Sequence, residues 1–384
     1  MTVPVCRGCR ARQGRVLLDL GDQPPCDAFP PATQLGPDRR HPLRMWLCDA
    51  CGLAQLAEDE TAPEEPLGVE PAALLAQAAR AVDLAGAAGL LPAGATVLEY
   101  GSPHGGSWLP LLADRGLRPP AEGRPADVVL DCFGLMHCAD QAAAVAERAN
   151  RLEPGGVALF QFHSLAAIIH NGQWNALRHG HFAYYSTESL IRLLGVAGLT
   201  ARSAWRFDLY GGTVLLAAAR GGEPDDSVTR LLAAEAAAGV HDPDRLANLQ
   251  PAASRSAATL RAWLAREADR GSVVAGYGAA SRAVALLCQA NIDADLLVAV
   301  ADAAPAKHGR RMPGTRIPVV SPDELRAIAP DTVVLFLPDL LAEVRHLAAN
   351  WALADPAPVE ADPVRGQQPS VSSGSDPACT VLPR

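Results

Sequence analysis

The sequence predicts an α/β protein with more than one sheet layer, and three observations predict it. Short apolar runs alternate with helical stretches from residue 95 onward. Two of those runs pass through glycine-containing turns into helices. The first 57 residues follow a different pattern, with Cys-x-x-Cys pairs near both ends. At 384 residues the chain exceeds one ordinary domain. With 49% apolar and 20% charged residues it has ample material for packed cores, and wholesale disorder is excluded. The 33 basic and 42 acidic residues give a net charge of −9, with Lys307 the sole lysine and no basic run. That balance argues against a nucleic-acid-binding face.

Taken in order, residues 1–57 read as a small irregular module stapled by cysteine. An alanine- and leucine-rich helix is expected over Pro71–Leu91, then strands at Ala95–Tyr100 and Ala126–Asp131. A helix over Gln141–Leu152, a turn at Glu153–Gly156 and a strand at Val157–Phe162 follow. Residues 187–200 look helical and Gly211–Ala218 looks like a further strand, which closes a central layer at 58–220. Residues 221–270 form a helical connector rich in alanine and arginine. A second α/β unit at 271–350 begins with a strand at Ser272–Gly276 and a helix over Arg282–Gln289, with further strands at Leu296–Val300 and Thr332–Leu337. From 351 to 384 the chain is rich in Pro, Ser and Gly and reads as a disordered tail.

The N-terminus lacks a signal-peptide apolar region, and the longest apolar runs fall far short of a membrane span. A cytoplasmic, reducing location is therefore expected, in which clustered cysteines are read as metal ligands before disulfides. Cys6-Arg-Gly-Cys9 and Cys48-Asp-Ala-Cys51 are two such clusters. Each presents two thiolates, and together they complete a tetrahedral Zn²⁺ site. Four protein sulfurs leave no place for water, so the role is structural. Cys26, Cys132, Cys138, Cys288 and Cys379 have no such spacing.

The first glycine turn, Val97-Leu-Glu-Tyr-Gly-Ser-Pro-His-Gly-Gly106, places Glu99 and three glycines between a strand and a helix. Backbone N–H groups there can approach a ligand closely. The form Glu99-x-Gly101-x-x-x-Gly105, with Ser102 inside it, suits S-adenosylmethionine. A nucleotide ribose ordinarily meets an acid at the end of the next strand. Here the span from Gly101 to Asp127 is too short for two βαβ steps, so the cofactor region is shortened.

Polar, titratable and aromatic groups concentrate in Gln173–Ser186, with His179 and His181 two apart and Tyr184 and Tyr185 close behind. Tyr210-Gly-Gly212 offers another phenol, and His163 follows the strand ending at Phe162. Histidine is the side chain best suited to proton abstraction near neutral pH.

In this order the pieces resemble the sugar C-methyltransferases that act on nucleotide-activated ketodeoxysugars, over roughly residues 5–345. The four cysteines match that family's zinc module, as do Asp19-Leu-Gly-Asp-Gln-Pro24 and Cys51-Gly-Leu-Ala-Gln55. Ala275-Gly-Tyr-Gly-Ala-Ala280, Lys307-His-Gly-Arg310 and Pro313-Gly-Thr-Arg-Ile-Pro318 match its C-terminal domain. His181-Phe182 with Tyr185-Ser186 matches its active-site element. Gly180 stands where the family has an acid, Tyr210 where it has a histidine, and no tyrosine precedes Tyr100, which marks a divergent branch.

The resemblance implies a zinc module at 1–57, a class I methyltransferase-like, Rossmann-type layer at 58–220 and a Rossmann-like nucleotide-sugar domain at 271–350. It implies an enzyme that deprotonates carbon next to a ketone and methylates it with S-adenosylmethionine. His181 would be the base, with Tyr185, Tyr210 and His179 beside it. Glu99, Gly101, Ser102 and Gly105 would hold the cofactor; Gly276, Gly278, Lys307 and Arg310 would hold the nucleotide sugar. The same residues also admit a cofactor-free epimerase or isomerase of a nucleotide ketosugar, or a non-catalytic nucleotide-sugar-binding partner.

Overall fold

The computed structural model describes residues 3–341 except 35, 60, 62–67 and 104–105, together with 344–345 and 352–354. The chain divides into two compact units. One comprises Met1–Ala28 with Pro37–Ala253, the other Phe29–Gly36 with Ser254–Arg384.

The first unit holds two sheets. Strands β1 (Gly14–Gln23), β2 (His41–Cys48) and β3 (Ala54–Leu56) form an antiparallel sheet, completed at its edge by β7 (Ala183–Tyr184). The N-terminal module is thus more regular than its Pro-rich sequence suggests. Gly14 is required there, because a Cβ would lie 2.1 Å from the Trp46 ring.

The larger sheet has the order β4 (Val97–Gly101), β5 (Ala126–Cys132), β6 (Leu152–His163), β9 (Thr213–Ala219), β8 (Thr200–Phe207). β4, β5 and β6 are parallel, whereas β9 runs antiparallel to both β6 and β8. Its period-2 alternation separates two faces. Val97, Val128, Leu130, Leu159 and Leu215 pack beneath helix α1 (Ala72–Ala87), through Ala78, Ala81, Val82 and Ala85. Val129, Phe160, Phe162 and Leu216 pack beneath α3 (Gln141–Asn150) and α5 (Thr187–Val196). That second core continues into Cys6, Trp46, Cys48 and Leu53, so the cysteine module and the larger sheet share one apolar interior. Asp140 caps α3, and Ser186 with Ser189 forms a capping box on α5.

Short helices α2 (Leu109–Ala113) and α4 (Leu165–His170) follow β4 and β6. Helices α6 (Asp226–Ala237), α7 (Pro243–Ala247) and α8 (Leu249–Asp269) form the expected helical stretch. Strand β8, which the sequence reading omits, supplies the outer edge beside β9.

In the second unit all strand pairs are parallel, in the order β12 (Val319–Val320), β11 (Val300–Ala301), β10 (Val274–Tyr277), β13 (Thr332–Leu335), β14 (Ala352–Ala354). Helices α9 (Ser281–Gln289) and α10 (Pro322–Ile328) lie between them in sequence. Two expectations are corrected. The strand expected at Leu296–Val300 begins only at Val300, and residues 352–354 form β14 rather than the start of a tail. The rest of that tail, 355–384 with Cys379, lies outside the described residues.

Candidate functional site

Cys6 and Cys9 precede β1; Cys48 ends β2, and Cys51 occupies the turn before β3. All four Sγ atoms lie within 4.8 Å of one another. The Cys6–Cys51 and Cys9–Cys48 separations are 3.5 and 3.6 Å. Four ligands at about 2.3 Å on a tetrahedron stand about 3.8 Å apart, so the set fits Zn²⁺. The Cys51 neighbour holds the Cys6 thiol down to about 5. Burial pushes Cys48 up to about 11, and the hydrogen bond with Cys6 pushes Cys51 up. Four thiolates this close therefore need a cation between them.

The second constellation lies at the carboxyl end of the parallel strands, where open α/β sheets carry their ligands. Register aligns Gly101, Cys132, Gln161 and Leu215 in one row across β4, β5, β6 and β9. In the next row, His163 faces Thr213, and Thr213 faces Phe207. Beyond β5 and before β9 the backbone turns left-handed at Phe133 (φ 58°) and Tyr210 (φ 56°), and their rings stand 6.3 Å apart. Non-glycine residues in this region are uncommon and cluster at working sites.

His163 Nε2 lies 3.2 Å from Gln173 Oε1, and Gln173 Nε2 donates to the Tyr210 carbonyl at 3.1 Å. Because Gln173 donates through its amide nitrogen, its oxygen accepts from His163. This puts an imidazole proton on Nε2. Gly211 is needed at this point, since a Cβ would lie 2.2 Å from Gln173 Nε2.

At the glycine turn, Glu99 accepts from the Ser107 hydroxyl and from the Trp108 N–H at 2.7 Å. It therefore holds the turn into α2. A Cβ on Gly106 (φ 87°) would meet the Glu70 carboxylate at 2.9 Å. Burial and then the field of Glu99 hold the Glu70 carboxyl above its ordinary value. Gly101 is open, with nothing nearer to an added Cβ than the Gly106 carbonyl at 3.7 Å. Two carboxylates beside an open glycine suit the cationic, amino-acid half of S-adenosylmethionine. Ser102 follows Gly101 directly, and Gly105 lies outside the described residues.

On the outer side of β4 a single parallel bridge, Thr96–Arg118, stands where a second strand would carry a ribose acid. It runs into Pro119-Pro120, and the first acid after it, Glu122, is exposed. Among the described residues, one bridged segment thus takes the place of a full second strand at that edge.

The histidine–tyrosine segment is not one cluster of free rings. His181 Nε2 accepts from Arg178 Nε at 2.7 Å and from a terminal nitrogen of the same guanidinium. Its ring stands edge-on to His137 at 4.5 Å. The Phe182 N–H donates to the Met136 carbonyl at 2.7 Å, which fastens this segment to the carboxyl end of β5. His179 is buried, with Nε2 3.2 Å from the Pro42 carbonyl.

Three of the expected site residues have partners within the fold. The His181 Nε2 lone pair already serves Arg178. His179 serves the N-terminal sheet. Tyr185 is a core residue: it is buried, packs edge-on against Phe162 at 5.8 Å, and donates its hydroxyl to Gln141 Oε1. Burial pushes that phenol well above its ordinary value. Tyr210 does reach the carboxyl edge, through Gln173 and Phe133.

The residues expected to hold a nucleotide sugar in the second unit have partners within that unit. Lys307 Nζ donates to the Ala279 carbonyl at 2.9 Å, lies 3.6 Å from Asp302, and sits over the Phe29 ring at 5.3 Å. Arg310 donates to the carbonyls of Ala306 and Phe29. Gly276 is needed because a Cβ would lie 2.6 Å from the Phe336 ring, while Gly278 takes φ 89° at the turn before α9.

Sequence reasoning missed Gln77 and Gln161, and gave no role to Gln173 and Arg178 within the segment it singled out. Gln161 did carry a signal, as the one amide in an otherwise apolar strand, Val157-Ala-Leu-Phe-Gln-Phe162.

Comparison with known proteins places these features. A family model described as "C-methyltransferase C-terminal domain" matches residues 208–353, and one described as "Putative zinc binding domain" matches residues 6–65. C-methyltransferase NovU of Streptomyces niveus is 27% identical over 206 residues, which cover 52% of this chain and 49% of the relative. The chain thus spans about half the length of the curated relative it matches. Among solved structures, N-methyltransferase NodS of Bradyrhizobium japonicum WM9 aligns with TM-score 0.30 and 12% identity, over 40% of this chain and 90% of that one. Magnesium protoporphyrin IX methyltransferase of Synechocystis PCC 6803 aligns with TM-score 0.29 and 10% identity, over 39% and 84%. Among the described residues, no helix is long and apolar enough to cross a membrane.

Proposed function

From the premise that this chain belongs, as a divergent member, to the C-methyltransferase family, we propose that it methylates carbon next to the ketone of a nucleotide-activated ketodeoxysugar. S-adenosylmethionine, when bound, supplies an electrophilic methyl group on a sulfonium. Glu70, Glu99 and the backbone around Gly101 would hold its cationic half. The chain's own residues must remove a proton from carbon and stabilise the oxygen that becomes negative.

The observation that carries this reading is the His163–Gln173–Tyr210 unit. A base held in one tautomer by a second group is the arrangement proton abstraction needs. On this reading His163 takes the proton α to the ketone. The Arg178–His181 pair supplies positive charge and a donor toward the enolate oxygen. His181 then acts as part of an electrophile rather than as the base, because its Nε2 already accepts from the guanidinium at 2.7 Å.

That no full strand with a ribose acid follows β4 on its outer side, among the described residues, favours a second reading. Without methyl donor, the same enolising groups would return the proton on the other face and epimerise the sugar.

Incubation of the protein with a nucleoside-diphosphate ketodeoxysugar in deuterium oxide separates these readings. We expect deuterium α to the ketone, and a methyl group in its place once S-adenosylmethionine is added. His163→Asn should abolish both while leaving the thermal transition in place. Exchange without methylation, together with no calorimetric binding of S-adenosylmethionine, would leave the epimerase. Exchange at the full rate in His163→Asn would remove His163 as the base.

A further inference from the structure

Three buried polar atoms on the α1 face of the larger sheet have no hydrogen-bond partner among the described residues: Gln77 Nε2, Gln161 Oε1 and Thr213 Oγ1. Gln77 is 8% exposed, Gln161 2% and Thr213 1%. They belong together. Gln161 Nε2 donates to Gln77 Oε1 at 2.5 Å, so the two amides face each other and leave one N–H₂ and one carbonyl over. Thr213 lies opposite His163 in the ladder and Gln161 opposite Leu215, so Gln161, His163 and Thr213 share a face by period-2 alternation. Leu215, on that same face, packs in the core under α1.

Buried polar groups are nearly always paired, and each orphan costs the folded protein free energy. Three orphans beside a histidine at the carboxyl end of a parallel sheet mark a site completed by something else. None is charged. Together they offer donors and an acceptor to a neutral group that both donates and accepts, and a sugar hydroxyl has that chemistry. A phosphate would leave the Gln161 carbonyl unpaired, and a cation would leave the Gln77 amide hydrogens unpaired.

We propose that Gln77, Gln161 and Thr213 form a hydroxyl-binding subsite beside His163, which selects the sugar by a ring hydroxyl next to the carbon that is deprotonated. This rests on the reaction proposed above and adds to it the group that sets specificity. Sites built to hydrogen-bond a hydroxyl reject the analogue that lacks it far more strongly than apolar sites reject a methylene.

The test uses the full chain with pairs of nucleoside-diphosphate ketohexoses that differ by one ring hydroxyl, read by the rate of deuterium exchange. We expect the unmodified protein to prefer one hydroxylated sugar over its deoxy partner by at least ~10-fold. Thr213→Val and Gln161→Met should bring that ratio near 1 while retaining exchange on the deoxy sugar. Thr213→Val should also raise the melting temperature of the ligand-free protein, because it removes an unpaired buried hydroxyl. An unchanged ratio with exchange intact would overturn the subsite and leave the reaction standing. A lowered melting temperature in Thr213→Val would show a resident water satisfying these groups, which also overturns it. No exchange by the unmodified protein on any of these sugars would remove the reaction, and the subsite with it.

Discussion

His179 shows how position in the fold decides what one imidazole does. It is buried, its Nε2 meets the Pro42 carbonyl, and its Nδ1 has no partner among the described residues. Burial holds it below its ordinary value. A histidine with a depressed folded value binds fewer protons folded than unfolded over the window between the two. Stability should therefore fall as pH drops below about 6.5, the unperturbed value. Urea titrations between pH 5 and 8 should show this slope, and a His179→Asn variant should flatten it. At this scale the sequence was informative about residue type and misleading about partner. That His179, His181 and Tyr185 share a segment is legible, but the Pro42 carbonyl, the Arg178 guanidinium and the Gln141 amide that claim them become visible only through pairing.

Among elements, the joint between β5 and α3 is the most exposed to mutation. Asp131 on β5 accepts from Arg148 Nε at 2.6 Å and from the Leu135 N–H at 2.8 Å, and both side chains are almost wholly buried. The Arg148 guanidinium also lies 4.2 Å from the Tyr100 ring and donates to the Ala144 carbonyl. Removing one partner of a buried pair leaves an uncompensated charge, at a cost of about 3–5 kcal/mol. Asp131→Ala should lower the denaturation midpoint accordingly. The double variant Asp131→Leu with Arg148→Leu should recover part of the loss.

Most elements were legible because apolar alternation and glycine turns mark them directly: α1, β4, β5, α3, β9 and α9 all fall within or close to their expected ranges, whereas β6 also takes in Glu153–Gly156, expected as a turn. Strand β8 escaped because Thr200-Ala-Arg-Ser-Ala-Trp-Arg-Phe207 alternates with polar and small residues. The regular N-terminal sheet escaped because its first two strands are separated by a proline-rich connection and held by metal chemistry as well as by apolar area.

For the whole molecule, the cysteine site is continuous with the core that runs beneath α3 and α5. Loss of the metal should therefore be felt beyond the first 57 residues. The protein should carry one zinc equivalent. Cys48→Ser, or a strong chelator, should remove it and lower the melting temperature by more than about 5 °C. Full zinc content in Cys48→Ser would contradict the four-sulfur assignment.

The segment Phe29–Gly36 departs from the N-terminal unit and pairs in the other one, with Pro31 bridged to Arg310 and the Ala32 N–H donating to the Gly309 carbonyl. Arg310 and Phe29 are 281 residues apart in the chain. At the usual pace of synthesis, the early segment leaves the ribosome roughly 15 to 55 s before its partner exists. During that interval a proline-rich stretch must stay extended and unclaimed while everything around it condenses. Nascent-chain order therefore bears on whether this polypeptide matures, and slow translation should expose it to chaperones longest at that one early loop.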